Sequence, residues 1–247
     1  MMAKVTVITA TTGNPLLAKC IESVSNQTHA DIQHLVIVDG PDRREAADQA
    51  VDIIPHYLLN KVIIHTLPYA IGKDRWNGHR IYAAGTYMAE GDYIIYLDDD
   101  NALEPTHIED CLKVIADGNT WAYSLRNIVD KDHKFICQDN CESLGKWPSI
   151  LNKDDYFIDV NCYFLPKLLA VQLTPLWYRK FREPGQPEVD RVLCQALRQF
   201  APKYDTTYGY SVNYVVGNTE NSVQTGFFAA GNVNMLQRYN GNLPWKK

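Results

Sequence analysis

The chain has 247 residues, 46% of them hydrophobic, enough to bury the core of one large α/β domain. A formal charge of -5 and a pI near 5.8 exclude nucleic acid as the main partner, because gripping a phosphate backbone takes a basic stripe that is missing here. Six scattered cysteines without a CxxC pair leave neither a zinc knuckle nor a disulfide framework, and no apolar run nears the roughly 18 residues of a membrane span, so a soluble, cytoplasmic protein is expected.

Residues 4–10 read as a first strand. Asn14-Pro15 then opens a helix, an N-cap residue followed by proline, with Leu16, Leu17, Cys20, Ile21 and Val24 as its apolar stripe. Residues 34–40 form a second strand that ends in Asp39 before a turn glycine. A charged segment, 42–52, suits a surface helix, and 62–67 makes a third strand. The next helix is expected over 74–89, with Arg75, His79 and Arg80 in its first half. Alternating strand and helix predicts a parallel sheet.

The stretch 93–101 concentrates the chemistry. Tyr93, Ile94, Ile95, Tyr96 and Leu97 are apolar on both faces, as a buried parallel strand requires, and they run straight into Asp98, Asp99, Asp100 and Asn101. Ligand crevices of open α/β sheets lie outside the carboxyl ends of the strands, where these acids stand. Three adjacent carboxylates repel one another, and a divalent cation relieves that cost. With an extended backbone Asp98 and Asp100 face one way and Asp99 the other, so Asp98 and Asp100 are the expected metal pair. Carboxylate oxygens suit Mg or Mn, ions that usually take one or two protein carboxylates and complete their shell with water and substrate phosphate. A phosphorylated ligand is thereby implied. No G-x-G-x-x-G or Walker-type loop follows any strand, so the phosphates fall to metal and basic side chains.

Glu104-Pro105 starts another helix, with Ile108, Cys111, Leu112 and Ile115 facing the sheet and Gly118-Asn119 ending it. From residue 120 the alternation fades, and 130–155 reads as polar loop. Residues 156–165 read as a strand with Phe157, Asp159, Asn161 and Tyr163 on one face; that polar face either borders a cleft or marks an edge strand with one wet side. After a proline- and glycine-containing loop, Val189, Val192, Leu193, Ala196, Leu197 and Phe200 stripe a helix whose first turn carries Glu188 and Asp190 on opposite flanks. Residues 210–216 form a last strand. The glycine- and asparagine-rich 217–242 either folds over a ligand or is a loop carrying Phe227 and Phe228 into the core.

Taken together, the first strand with Thr11 after it, Val38-Asp39-Gly40, Ala89-Glu90-Gly91-Asp92-Tyr93 and Leu97-Asp98-Asp99-Asp100-Asn101 resemble the GT-A glycosyltransferases of the family 2 type. The resemblance implies a single GT-A domain: a Rossmann-like, mixed and mostly parallel sheet flanked by helices, with a nucleotide-sugar half at 1–118 and an acceptor and catalytic half at 119–247. By position it makes Asp39 the contact to the nucleotide base, Asp98 and Asp100 the ribose and metal ligands, and Asp190 or Glu188 in Glu188-Val189-Asp190 the general base. Thr11, Arg75, Arg80 and Asp99 fall on the donor side, and Asp159 and Asn161 on the acceptor side. The family's Asp-Asp-Gly-Ser is replaced by Val38-Asp39-Gly40-Pro41 and its Arg-Asn pair by Tyr82-Ala83. The Gln-x-x-Arg-Trp signature and membrane spans of processive synthases are absent, which points to single-sugar addition.

The implied activity is an inverting, Mn- or Mg-dependent transfer from a nucleoside-diphosphate sugar, UDP being the favoured base, to the hydroxyl of a glycan, lipid-linked or protein acceptor. A nucleotidyltransferase acting on sugar phosphates would share the metal and nucleotide half, but would want a basic glycine loop where Thr11-Thr12-Gly13-Asn14 stands. An Asp-x-Asp phosphatase would want Thr or Val at Ala102. A non-catalytic nucleotide-sugar or glycan-binding module is the third reading.

Overall fold

A computed structural model describes residues 2–73, 76–179, 189–218 and 222–246. Strands β1 (Val5–Thr11), β2 (Ile32–Val38), β3 (Val62–Thr66) and β4 (Tyr93–Tyr96) alternate with helices α1 (Leu17–Ser25), α2 (Arg44–Asp52) and α3 (His79–Met88). Beyond them come β5 (Ala102–Leu103), α4 (His107–Ala116), β6 (Trp121–Val129), β7 (Phe135–Gln138), β8 (Tyr163–Pro166), α5 (Lys167–Trp177), α6 (Val189–Phe200), β9 (Tyr204–Val215) and α7 (Thr225–Arg238). The sheet runs β3-β2-β1-β4-β8-β6-β9-β5, with β7 paired to β6.

The first four strands are parallel neighbours, β1 lying between β2 and β4. Strand order therefore reverses at β1, which opens a crevice at the carboxyl ends of β1 and β4. β8 then pairs antiparallel with both β4 and β6, while β6 and β9 form the long parallel ladder of the second half. Parallel ladders carry most of the paired residues in this mixed sheet. β2 is buried along its whole length, because helices cover both faces: α1 and α2 seal one side through Leu17, Ile21, Ala47 and Val51.

Several elements differ from the sequence expectation, each for a local reason. Asn14 caps a turn rather than the helix: its Oδ1 accepts the Leu16 N–H at 2.9 Å, and α1 begins at Leu17. The helix expected over 74–89 starts at His79, after a turn at 76–78; Arg75 lies outside the described residues. β6 has no clean apolar pattern because Ser124 and Arg126 interrupt it, yet both are buried within the sheet. β7 occupies part of the expected 130–155 loop, and α5 has no counterpart in the sequence expectation.

The strand expected over 156–165 forms only from Tyr163. Asp159 instead caps a short 3-10 turn, Val160–Cys162, by accepting the Asn161 N–H at 3.0 Å, so the supposed polar face never forms. The asparagine-rich tail is largely α7, a helix despite its modest propensity. Phe228, Gly231 and Met235 follow helical spacing and bury one face. Gly231 is where that face comes closest: a Cβ there would lie 2.6 Å from Cys141 Sγ.

Candidate functional site

A cavity of about 370 Å3 opens where β1 and β4 end. Thr11, Asp39, Asp98, Asp99 and Asp100 line it from the first half, and Tyr214 at the end of β9 closes it from the second. Leu97 is the last residue held by β1, its N–H reaching Ile8 O at 3.0 Å; the chain then turns, with Asn101 N–H on Asp98 O at 3.1 Å. This turn overturns the extended-backbone expectation. Asp98 and Asp100 do not form a pair facing away from Asp99; each acid goes to a different partner.

Asp98 is gripped on both edges. Tyr82 Oη donates to its Oδ1 from α3, and Asn161 Nδ2 donates to its Oδ2 at 2.8 Å. Burial pushes the Asp98 carboxyl up to about 6 against the pull of those two donors. Asp99 ties the acid turn to the loop after β1, accepting from Thr11 Oγ1 at 2.6 Å and from Asn14 Nδ2 at 3.3 Å. Its carboxyl is also raised, again chiefly by burial.

Asp100 differs from both. Its Oδ2 accepts from Asn218 Nδ2 at 2.5 Å, and Ser222 in turn donates its hydroxyl to Asn218 Oδ1. Burial, followed by repulsion from Asp98 and Asp99, pushes the Asp100 carboxyl up to about 7. Among the described residues no Lys or Arg forms a salt bridge with any of the three acids. An acid held this high, with no cationic partner among the described residues, has the chemistry of a cation ligand.

The residues fit Mg or Mn in one particular way. Among the described residues no group of three or more His, Cys, Asp or Glu side chains gathers into a cage. Mg-type ions do not need one, since one or two carboxylates plus substrate phosphates suffice. Asp100, whose Oδ2 meets the neutral Asn218 amide, would supply the carboxylate, whereas Asp98 is committed to Tyr82 and Asn161.

Asp39 forms part of the cavity wall, but its two oxygens already accept the N–H groups of Ile71 at 2.7 Å and Gly72 at 2.9 Å. It thereby fixes the loop after β3. Gly72 is required for that approach, because a Cβ would lie 2.6 Å from Asp39 Oδ2. Arg80 stands outside the cavity lining, its guanidinium stacked 3.6 Å from the Trp76 ring centre, with Nε buried and unpartnered.

The two acceptor-side candidates are corrected by burial. Asn161 is fully buried and Asp159 is 7% exposed, and neither lines the cavity. Asp159 belongs to a buried ion cluster around Arg126, whose Nε, Nη2 and Nη1 donate to Asp139 at 2.9 Å, Glu142 at 2.7 Å and Asp159 at 2.5 Å. Burial opposes the charge on Arg126, yet Asp159, Asp139 and Glu142 together hold its pKa well above the ordinary value. Glu142 also accepts from Arg191 at 3.0 Å, and Arg191 reaches Asp155 at 2.6 Å, so the cluster extends to the first turn of α6. Asp190 stands in that turn, half-buried and not lining the cavity, its Oδ1 accepting the Arg191 N–H at 2.7 Å. Glu188 lies outside the described residues.

Sequence reasoning missed Tyr82, Asn218 and Tyr214. Tyr82 carried a signal, since it stands at a departure from the family pattern; the other two sit in segments with no motif.

The family model for glycosyl transferase family 2 matches residues 6–165, which spans β1 through most of β8 and contains Asp39 and the acid turn. The chain belongs to glycosyl transferase family 2. No curated protein sequence matches this family 2 chain. Its fold is similar to S. aureus TarS 1-349, with a TM-score of 0.61 at 12% identity over 86% of this chain and 60% of that one. The structure of TarS 1-349 in complex with UDP-GlcNAc gives a TM-score of 0.61 at 14% identity, over 88% and 60%. S. aureus TarS itself gives 0.56 at 12%, over 96% of this chain and 43% of that one. This family 2 chain therefore has the GT-A fold and spans about 60% of the length of TarS 1-349.

Proposed function

We propose that this chain transfers a sugar from a nucleoside-diphosphate sugar, with UDP as the nucleotide, to an acceptor hydroxyl, inverting the anomeric centre. The observation that carries this reading is Asp100: a half-buried carboxylate with no cationic partner among the described residues, at the carboxyl end of β4, in a family 2 chain. A structure of the similarly folded TarS 1-349 in complex with UDP-GlcNAc supports the choice of UDP.

In this reading residues 1–118 bind the donor and residues 119–247 supply the acceptor and catalytic half. Asp100 holds Mg or Mn, which would neutralise charge developing on the leaving diphosphate. Thr11 and Asp99 keep the floor of the site in place, Asp39 walls the base, and Asp98 offers an oriented carboxylate to the ribose. Arg80, held by stacking and with donors to spare, together with Arg75, meets phosphate oxygens. Asp190 takes the acceptor proton, with Glu188 the alternative base. The acceptor, whether glycan, lipid-linked or protein, approaches from the α6 side.

No helix among the described residues is long and apolar enough to cross a membrane. The six free cysteines support assigning the protein to the cytoplasm. A nucleotidyltransferase is disfavoured because Thr11, at the end of β1, and Asn14, in the loop after it, are spent on Asp99, and that loop carries no cation.

The test is a thermal-shift panel of UDP, GDP, CDP and dTDP with and without Mn, followed by donor hydrolysis and transfer assays. A nucleotide at about 100 times its Kd should stabilise the fold by roughly 2.7 kcal/mol. A shift from one nucleotide only when Mn is present supports the reading. No shift from any of them overturns it, and binding without turnover leaves a nucleotide-sugar-binding module.

A further inference from the structure

We infer that Asn161, with Tyr82 opposite it, is a positioning residue that sets the Asp98 carboxylate for the donor; the inference rests on the functional reading above. Asn161 is fully buried and does not line the cavity, so it acts only through its neighbours. Its side-chain amide is fully used. Oδ1 accepts the Asp98 N–H at 2.6 Å, while Nδ2 donates to Asp98 Oδ2 at 2.8 Å and to Asp159 Oδ1 at 2.7 Å. Two of those bonds grip the same residue, one through the backbone and one through the carboxylate. They fix both the end of β4 and the rotation of the acid beyond it.

The amide has one workable orientation. Reversing it would set Oδ1 against two carboxylate oxygens and Nδ2 against an N–H, losing all three bonds. Its anchor is equally fixed, because Asp159 takes Arg126 Nη1 on its other oxygen and Arg126 is held by Asp139 and Glu142. Asp139 in turn accepts the backbone N–H groups of Cys141, Glu142 and Ser143. The clamp thus hangs from β6 and the loop after β7, both in the second half, while the acid it holds belongs to the first. On the opposite edge Tyr82, 1% exposed, donates to Asp98 Oδ1 from α3. A carboxylate oriented in advance by two buried donors needs no further ordering when a ligand hydroxyl docks on it, which is how preorganisation raises affinity.

The experiment is calorimetric titration of UDP, with Mn, into wild type, Asn161→Ala, Asn161→Asp, Tyr82→Phe, Asp98→Ala and the Asn161→Ala/Asp98→Ala double variant. Thermal melts report whether each is folded. Asn161→Ala is expected to weaken UDP about tenfold, the scale on which outer-sphere partners act. Asn161→Asp should weaken it further, because a carboxylate then faces Asp98 and Asp159. In the Asp98→Ala background Asn161→Ala should add nothing, since the residue it positions is gone. A merely structural Asn161 would lose the same factor in both backgrounds, and that additivity overturns the inference. Unchanged UDP affinity in folded Asn161→Ala overturns it as well. Tyr82→Phe removes only a hydroxyl and leaves the Arg126 cluster untouched; should Asn161→Ala fail to fold, unchanged UDP affinity in Tyr82→Phe overturns the inference, and a weakened one supports it. Wild type that binds none of UDP, GDP, CDP and dTDP overturns the functional reading along with this inference, whereas wild-type binding with unaffected variants overturns the inference alone.

Discussion

Asp100 and Asn218, 118 residues apart in sequence, meet at 2.5 Å across the cavity. That bond joins the end of β4 to the segment after β9, so the two halves of the chain close one site. It also leaves Asp100 with a neutral partner where a carboxylate would prefer a cation. Asp100→Asn is therefore expected to abolish the Mn dependence of nucleotide binding and to weaken donor affinity about 10- to 100-fold. Titrating UDP with and without Mn checks this, and normal Mn-dependent affinity in the variant would remove Asp100 from the metal role.

The same acids set a pH dependence for the metal-free protein. Asp98 and Asp100 have pKa values of about 6 and 7 in the fold, above the ordinary carboxylate value they regain on unfolding. Between those limits these two groups hold more protons in the fold than in the unfolded chain, so their own contribution to stability falls as pH rises. His34, His79 and His107, lowered by burial to about 3, 4 and 4, act in the opposite sense below about pH 6.5. The contribution of the two acids is complete below about pH 4 and gone above about pH 7. The slope is about 1.4 kcal/mol per pH unit for each proton held. Urea denaturation of wild type and Asp100→Asn from pH 4.5 to 8 isolates the Asp100 share, since the histidines are common to both: wild type should lose stability relative to the variant as pH rises towards 7. A stability difference between the two proteins that does not change over pH 5 to 7 would contradict the burial argument.

Asp190→Asn separates chemistry from binding. A positioned base contributes about 100- to 10,000-fold, so turnover should drop by that factor while the Kd for donor stays within about twofold. Steady-state kinetics alongside UDP titration makes the distinction. A preserved rate would move the base to Glu188.

The legibility of the sequence followed its apolar pattern. β1, β2 and β4 are buried on both faces, so their apolar, β-branched runs are plain in the sequence, and the acids beyond β4 mark the cavity. β6 was illegible because its interior holds Ser124 and Arg126, and a buried arginine looks like an exposed one until its three carboxylates, 13 to 33 residues further on, are brought to it by folding. Asp159 and Asn161 stand out by their polarity, but strand alternation sets them on a face that either borders a cleft or is the wet side of an edge strand. A single cap at Asp159 breaks that alternation and turns both inward. Asn218 and Tyr214 had no signal, since their role depends only on where β9 ends.

The Arg126 cluster supplies the sharpest stability prediction. Arg126 is 1% exposed and faces Asp139, Glu142 and Asp159, so Arg126→Ala would leave three carboxylates crowded together out of water. Removing one side of a buried ion pair costs about 3 to 5 kcal/mol, a large share of the 5 to 15 kcal/mol that holds a typical domain together. Arg191→Ala is the internal control: Arg191 shares Glu142 and binds Asp155, but its side chain is 21% exposed, so water replaces part of what is lost. Its cost should be about 1 kcal/mol. Urea midpoints for the two variants should therefore differ severalfold in their displacement from wild type. Acid should partly rescue Arg126→Ala, because protonating the stranded carboxylates removes their repulsion. Equal displacement of the two midpoints would mean that water reaches Arg126 and that its cluster does not behave as a buried one.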